Sequence, residues 1–400
     1  MSIRRPALIV CGACLVAAAA GAVGLGAQTP PSTRRLAPAT PPSGLERAFA
    51  DVDALVAGTL KPSHAGGLTV GVLSESTLVW SKGYGWADPD RKQAAGRDTI
   101  YRIGSITKQL TALALVQLQD RGRLRVSDPV SKYLPEVAQI QTAFPSAAPM
   151  TLLQLATMTS GLEREPDDVD TFLKGGPSTW ERVLLAALPK TRIAFEPGTR
   201  YAYSNIGYAL LGAALSRAAG EPFIPYLTRE VITPLAMTAT AFELEPTWRP
   251  RLAHGQAVRN GVIDLETPRR EHAGRGYKIP NGGLYSTVPD IARWLAFELG
   301  NIPAGLVSRS AFEAWLGQVH SALPDLGGGY GIGFQVTRRP TLVAVGHSGS
   351  VAGYTSAAYV DRRSRTGVVI LRSAGGDDVD VTELCLAALE RVAAQAPRTH

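Results

Sequence analysis

Cysteine is nearly absent from this chain. Of three in 400 residues, Cys11 and Cys14 lie in the first apolar segment, which leaves Cys385 alone in the body. A single thiol excludes an intrachain disulfide framework, so the fold must be held by its core. Cys385 follows Glu383-Leu384 in an apolar helical pattern, where packing is its expected role. Charge is sparse too: 19% of residues are charged against 45% hydrophobic, which excludes a disordered chain. The formal excess of +7 is scattered through pairs such as Arg269-Arg270, Arg338-Arg339 and Arg362-Arg363. No basic stripe interleaved with aromatics accompanies them, so nucleic acid is not an expected partner. An arginine-rich solvated surface, with some attraction for anionic envelope polymers, is expected instead. Metal-binding patterns are missing as well. H-E-x-x-H does not occur, and His64, His254, His272, His320 and His400 are dispersed, so neither metal nor cofactor is expected. The G-x-S-x-G elbow is absent, which argues against an α/β-hydrolase.

Beyond Ala27 no segment has 18 consecutive apolar residues, so no later part of the chain is expected to span a bilayer. At the other end Arg4-Arg5 precedes an alanine-rich run from Ala7 to Ala27. Residues 1–27 therefore read as an export signal with a partial twin-arginine pattern, or as an uncleaved anchor. Residues 28–44, rich in Pro, Thr and Ser, read as a linker. A periplasmic or secreted location follows, with membrane contact only through the N-terminal segment.

The rest of the chain changes character twice. Leu45, Phe49, Val52 and Leu55 at helical spacing predict a first helix capped by Ser43. Leu68–Leu73 and Leu78–Trp80 predict a hairpin across Ser74-Glu75-Ser76. The middle is mostly helical, with Thr151, Trp180 and Ile206 opening helices, while 245–275 is irregular. Thr287 caps a helix to about Leu299. Strands at Tyr330–Val336, Leu342–Gly346, Thr355–Val360 and Gly367–Leu371 then predict an antiparallel meander, and Asp380 caps a final helix. The fold class is α+β: an antiparallel sheet flanked by helices, residues 45–125 and 276–398, with an all-helical domain, 126–275, inserted.

Ser105-Ile106-Thr107-Lys108 is the stretch around which this is organised. Residues three apart share a helix face, so hydroxyl and amine can meet. Ser105 would sit at the positive end of a buried helix running to Gly122, where a developing alkoxide is favoured. Two further signatures follow in order: Tyr203-Ser204-Asn205 before a helix, and His347-Ser348-Gly349 at the end of an apolar strand, with Ser350 next.

In that order, S-x-x-K, Y-x-N and H-S-G, the chain resembles the serine β-lactamase and penicillin-binding-protein superfamily. It looks most like the branch of class C β-lactamases, D-alanyl-D-alanine carboxypeptidases and related esterases. The resemblance implies a β-lactamase/transpeptidase-like fold and acylation of Ser105 by an ester or amide: a D-alanyl peptide such as cell-wall peptide, an ester or a β-lactam. It implies that Lys108 and Tyr203 share the proton transfers, without saying which is the initial base. Asn205 would orient the substrate amide and Lys108, His347, Ser348 and Gly349 would line the substrate site, and the N–H groups of Ser105 and Ser350 would form an oxyanion hole. Where most β-lactamases place lysine, His347 would be only about a quarter charged at pH 7. That weakens recognition of an anionic β-lactam. No class A deacylation glutamate motif is visible, so a non-hydrolytic penicillin-binding sensor of the same fold is the alternative.

Overall fold

The computed structural model describes residues 44–61, 64–323 and 327–396. The expected export signal, and all of the linker but Gly44, lie outside them. Eight strands form one antiparallel sheet: β1 (Leu68–Ser74), β2 (Thr77–Tyr84), β3 (Ser321–Leu323), β4 (Gly328–Tyr330), β5 (Gln335–Arg338), β6 (Val343–Val351), β7 (Tyr354–Asp361) and β8 (Thr366–Arg372). Their spatial order is β3-β4-β5-β6-β7-β8-β1-β2. Strands from the two ends of the chain meet where β1 pairs with β8, Leu68 opposite Arg372 and Ser74 opposite Thr366.

Side chains alternate faces along a strand, and here the alternation divides two cores. Val368 and Ile370 of β8, with Ala357 and Tyr359 of β7, pack under helices α1 (Glu46–Thr59) and α5 (Val381–Gln395). Val369 and Leu371, with Ala358 and Val360, point into a larger core with the remaining helices. Cys385 belongs to the first core and is buried. Two caps are as the sequence suggests: Asp380 accepts from the Glu383 N–H, and Thr287 from that of Asp290 at the start of α4 (Val288–Glu298). Helix α1 instead begins after Leu45 with no side-chain cap, and the expected cap Ser43 lies outside the described residues. Two of the helices carry the site. Helix α2 (Thr107–Asp120) is buried on every side from Thr107 to Leu118, and α3 (Asn205–Ala219) is buried along nearly its whole length.

Three expectations need correction. The segment 245–275 is not irregular: it holds a hairpin, Gln256–Arg259 with Val262–Asp264, and a short helix, Glu266–Glu271. Its first strand pairs in parallel with Ala374–Gly375. The strand expected over Tyr330–Val336 is broken at Gly331–Phe334 into β4 and β5. And β6 does not stop at Gly346 but continues to Val351 beside β7. That extension carries His347–Ser350 along the site.

Candidate active site

The chain reaches Ser105 through a tight turn. Gly104 has φ +49°, a conformation that favours glycine, and a methyl group there would fall 2.8 Å from the Ser350 amide nitrogen. Gly349 answers from β6: a methyl on it would lie 2.2 Å from the Ile103 carbonyl oxygen and 3.0 Å from the Ser105 nitrogen. Two glycines thus let the 3₁₀ turn Gly104–Ile106 press edge-on against the strand. This contact brings the Ser105 and Ser350 amides into one neighbourhood.

Lys108, the second residue of α2, is fully buried. Its Nζ lies 3.1 Å from Ser105 Oγ, 2.8 Å from Asn205 Oδ1 and 2.9 Å from the Asn281 carbonyl oxygen. Burial pushes its pKa well below the usual amine range; Arg164, Lys278 and Arg275 push the same way and Glu165 opposes them. A neutral amine has two N–H bonds and one lone pair. In that form both N–H groups can be taken by the carbonyls of Asn205 and Asn281, which leaves the lone pair for the Ser105 hydroxyl.

Tyr203 approaches from the opposite wall. Its hydroxyl donates to Ser105 Oγ at 2.8 Å, while Lys108 Nζ stands 4.8 Å from its ring centroid. Burial raises the phenol pKa, so Tyr203 is protonated at neutral pH. Tyrosine and lysine therefore meet at the serine oxygen and not directly at each other.

Asn205 is spent on support. Its Oδ1 accepts from Lys108 and its Nδ2 donates to Glu165 at 2.7 Å, and it does not line the cleft. Glu165 in turn accepts from Lys278 at 2.8 Å and from the Tyr277 hydroxyl. Sequence reasoning passed over Glu165 and Asn281, because a lone glutamate in a loop and a backbone carbonyl carry no motif. The cleft, about 330 Å³, is lined by Ser105, Tyr203 and His347–Ser350, with Arg164 at its edge. Arg164 is exposed, sits 4.8 Å from the Tyr203 ring centroid and makes no ion pair among the described residues.

His347 is buried, with burial and the proximity of Lys108 pushing its pKa down to about 3. Its Nδ1 abuts the Ser348 carbonyl and must carry the proton, and its Nε2 accepts from the Tyr330 hydroxyl at 3.1 Å. The imidazole is thus neutral, so the partial charge expected at pH 7 is not there. We predict that its ring ¹⁵N shifts will stay constant from pH 8 to about pH 4; a midpoint near 6.5 would contradict this. Because the unfolded histidine binds a proton below about pH 6.5 and the folded one does not, His347 costs stability as pH falls from there towards 3.

Elsewhere, among the described residues, the fold assembles one set that spacing did not reveal. Asp88, Asp90 and His254 have ligand-type atoms within 4.8 Å of one another, but Asp88 already pairs with Arg91 at 2.8 Å.

Comparison with known proteins bears on most of the chain. A family profile described as Beta-lactamase matches residues 52–391. The chain belongs to that family. It resembles Beta-lactamase-like protein 2 of Dictyostelium discoideum, 29% identical over 332 residues covering 81% of this chain and 59% of that protein. It also resembles protein flp of Staphylococcus aureus strain MRSA252, at 24% identity covering 82% and 63%. The D-alanyl-D-alanine-carboxypeptidase/endopeptidase AmpH of Escherichia coli K12 is 31% identical over 58% of this chain and 57% of its own. The chain thus spans less than two thirds of the length of each of these curated relatives. The octameric penicillin-binding protein homologue from Pyrococcus abyssi superposes with TM-score 0.73 at 25% identity, covering 85% of this chain and 76% of that one. The α+β architecture is therefore that of the serine β-lactamase and penicillin-binding-protein superfamily.

Proposed function

We propose that this protein is a secreted serine hydrolase that forms an acyl-enzyme on Ser105 and cleaves an ester or amide. The observation that carries the proposal is the position of one serine oxygen between a buried amine at 3.1 Å and a phenol at 2.8 Å. Neutral Lys108 takes the Ser105 proton as Oγ bonds to the substrate carbonyl carbon. The oxygen of the tetrahedral adduct accepts from the Ser105 and Ser350 N–H groups, each such donor being worth about 3 to 4 kcal/mol of barrier. As the bond to the leaving atom breaks, Tyr203 gives that atom its proton and is left as a phenolate near the Lys108 ammonium. Water then attacks the ester, its proton passing to the Tyr203 phenolate, while Lys108 returns its proton to Ser105 Oγ and the serine is restored.

The substrate is a D-alanyl peptide, an ester or a β-lactam. A neutral His347 gives no fixed charge for a carboxylate, which favours uncharged esters and leaves exposed Arg164 to meet the C-terminal carboxylate of a peptide. The activity for which the AmpH relative is named supports the peptide class, and cell-wall peptide is the corresponding partner. The second reading, a penicillin-binding sensor, is favoured by Glu165 being held by Asn205, Tyr277 and Lys278. So held, Glu165 is not free to activate a deacylating water. Turnover of a p-nitrophenyl ester, a D-Ala-D-Ala peptide and nitrocefin tests the two. The enzyme reading expects multiple turnovers of at least one, abolished in Ser105→Ala. A stable adduct with a fluorescent penicillin and no turnover would replace it with the sensor.

A further inference from the structure

The cleft that holds Ser105 shares no lining residue with a second cavity of about 510 Å³. The segment Ile279–Gly283 separates them: its Asn281 carbonyl meets Lys108, while Ile279 and Gly283 line the second cavity.

Four guanidinium groups border this cavity, those of Arg102, Arg249, Arg269 and Arg275, against the carboxylates of Glu243 and Glu271. Two of the four are unusually placed. The side chains of Arg102 and Arg275 are only 1% and 10% exposed, and both lean on one carboxylate, Glu271, at 3.1 and 2.8 Å. Arg102 Nε has no hydrogen-bond partner among the described residues. His272 is neutral and leaves the balance unchanged, since burial lowers its pKa to about 4, and its ring is held by the hydroxyls of Tyr285 and Tyr354. Burying two guanidinium ions against one carboxylate leaves positive charge in a poorly solvated place. Folded proteins ordinarily pair such charge and leave no donor of a charged group unmade. The catalytic reading draws on this charge only through Arg275, one of several groups that lower the Lys108 pKa, and leaves Arg102 without a role.

The remaining walls say what kind of anion fits. Phe242, Leu252 and Ile279 are apolar, so an inorganic ion would satisfy the charge and leave most of the space unfilled. A carboxylate is planar, matches the guanidinium fork and can carry an apolar body. We propose that this cavity is a second ligand site, which takes a small organic carboxylate with its oxygens toward Arg102 and Arg275 and its body against Phe242, Leu252 and Ile279.

Calorimetric titration of the full chain with benzoate tests this. One site is expected, with the same affinity in wild type and Ser105→Ala. Arg102→Lys keeps the charge but loses the fork and should weaken binding about tenfold. Should that variant not fold, the exposed Arg249→Glu and the cavity-filling Leu252→Trp carry the test, each expected to weaken benzoate binding several-fold. Four results would overturn the proposal. They are no binding at millimolar benzoate, binding lost in Ser105→Ala, binding indifferent to all the folded variants, or inorganic phosphate binding where benzoate does not.

Discussion

Lys108→Met is expected to lower kcat/KM by about a thousandfold or more while leaving the fold intact. The side chain is fully buried, and methionine fills a similar unbranched volume. What the variant loses is the lone pair facing Ser105 Oγ, and the neighbourhood offers no replacement: Tyr203 is held protonated by burial, and Glu165 is occupied. Stability should move the other way. In the folded protein Lys108 is neutral at pH values where the unfolded chain protonates it. Folding then releases a proton, and wild-type stability rises with pH up to the unfolded pKa near 10.4. The methionine variant lacks that dependence, so its advantage over wild type, if the two freed carbonyls of Asn205 and Asn281 find water, should be largest near neutrality and shrink toward pH 10. Steady-state kinetics and urea melts at several pH values check both halves. An active variant would remove Lys108 from the proton path.

Tyr203→Phe is expected to cost between a hundredfold and ten-thousandfold in turnover, about the range for removing a proton carrier. The ring stays, and with it the surface that Lys108 and Arg164 face at 4.8 Å, so geometry is preserved and only the hydroxyl 2.8 Å from Ser105 is lost. Lysine remains to deprotonate the serine, so the loss should fall on expulsion of the leaving group. It should therefore be larger for an amide or alkyl ester than for a p-nitrophenyl ester, whose leaving group needs little protonation. Equal losses across that series would place Tyr203 elsewhere in the reaction.

Much of this site was legible because its parts are bound to local spacing. A serine and lysine three apart must share a helix face, and glycine at 104 advertises the turn before them. The helix caps at Thr287 and Asp380 were readable for the same reason, since a cap is a contact across three residues. What escaped reading depends on long-range packing. Asn281 offers Lys108 a backbone oxygen, which any residue type could supply. Glu165 acquires meaning only when Tyr277 and Lys278 arrive from over a hundred residues away. The strand through His347 looked finished at Gly346 because Gly-His-Ser-Gly-Ser has no apolar alternation. Pairing with β7 keeps it extended, and the small residues let the Ser105 turn approach. His347 itself reads as a partly charged residue from its reference pKa, and it is burial, invisible in composition, that makes it neutral.

The claim beneath all of this is that Ser105 becomes covalently acylated. Peptide mapping by mass spectrometry after treatment with a fluorophosphonate or a fluorescent penicillin tests it most directly. The account predicts a single adduct on the peptide containing Ser105, absent from Ser105→Ala. An adduct on any other residue, or none on folded protein that still turns over substrate, would contradict it.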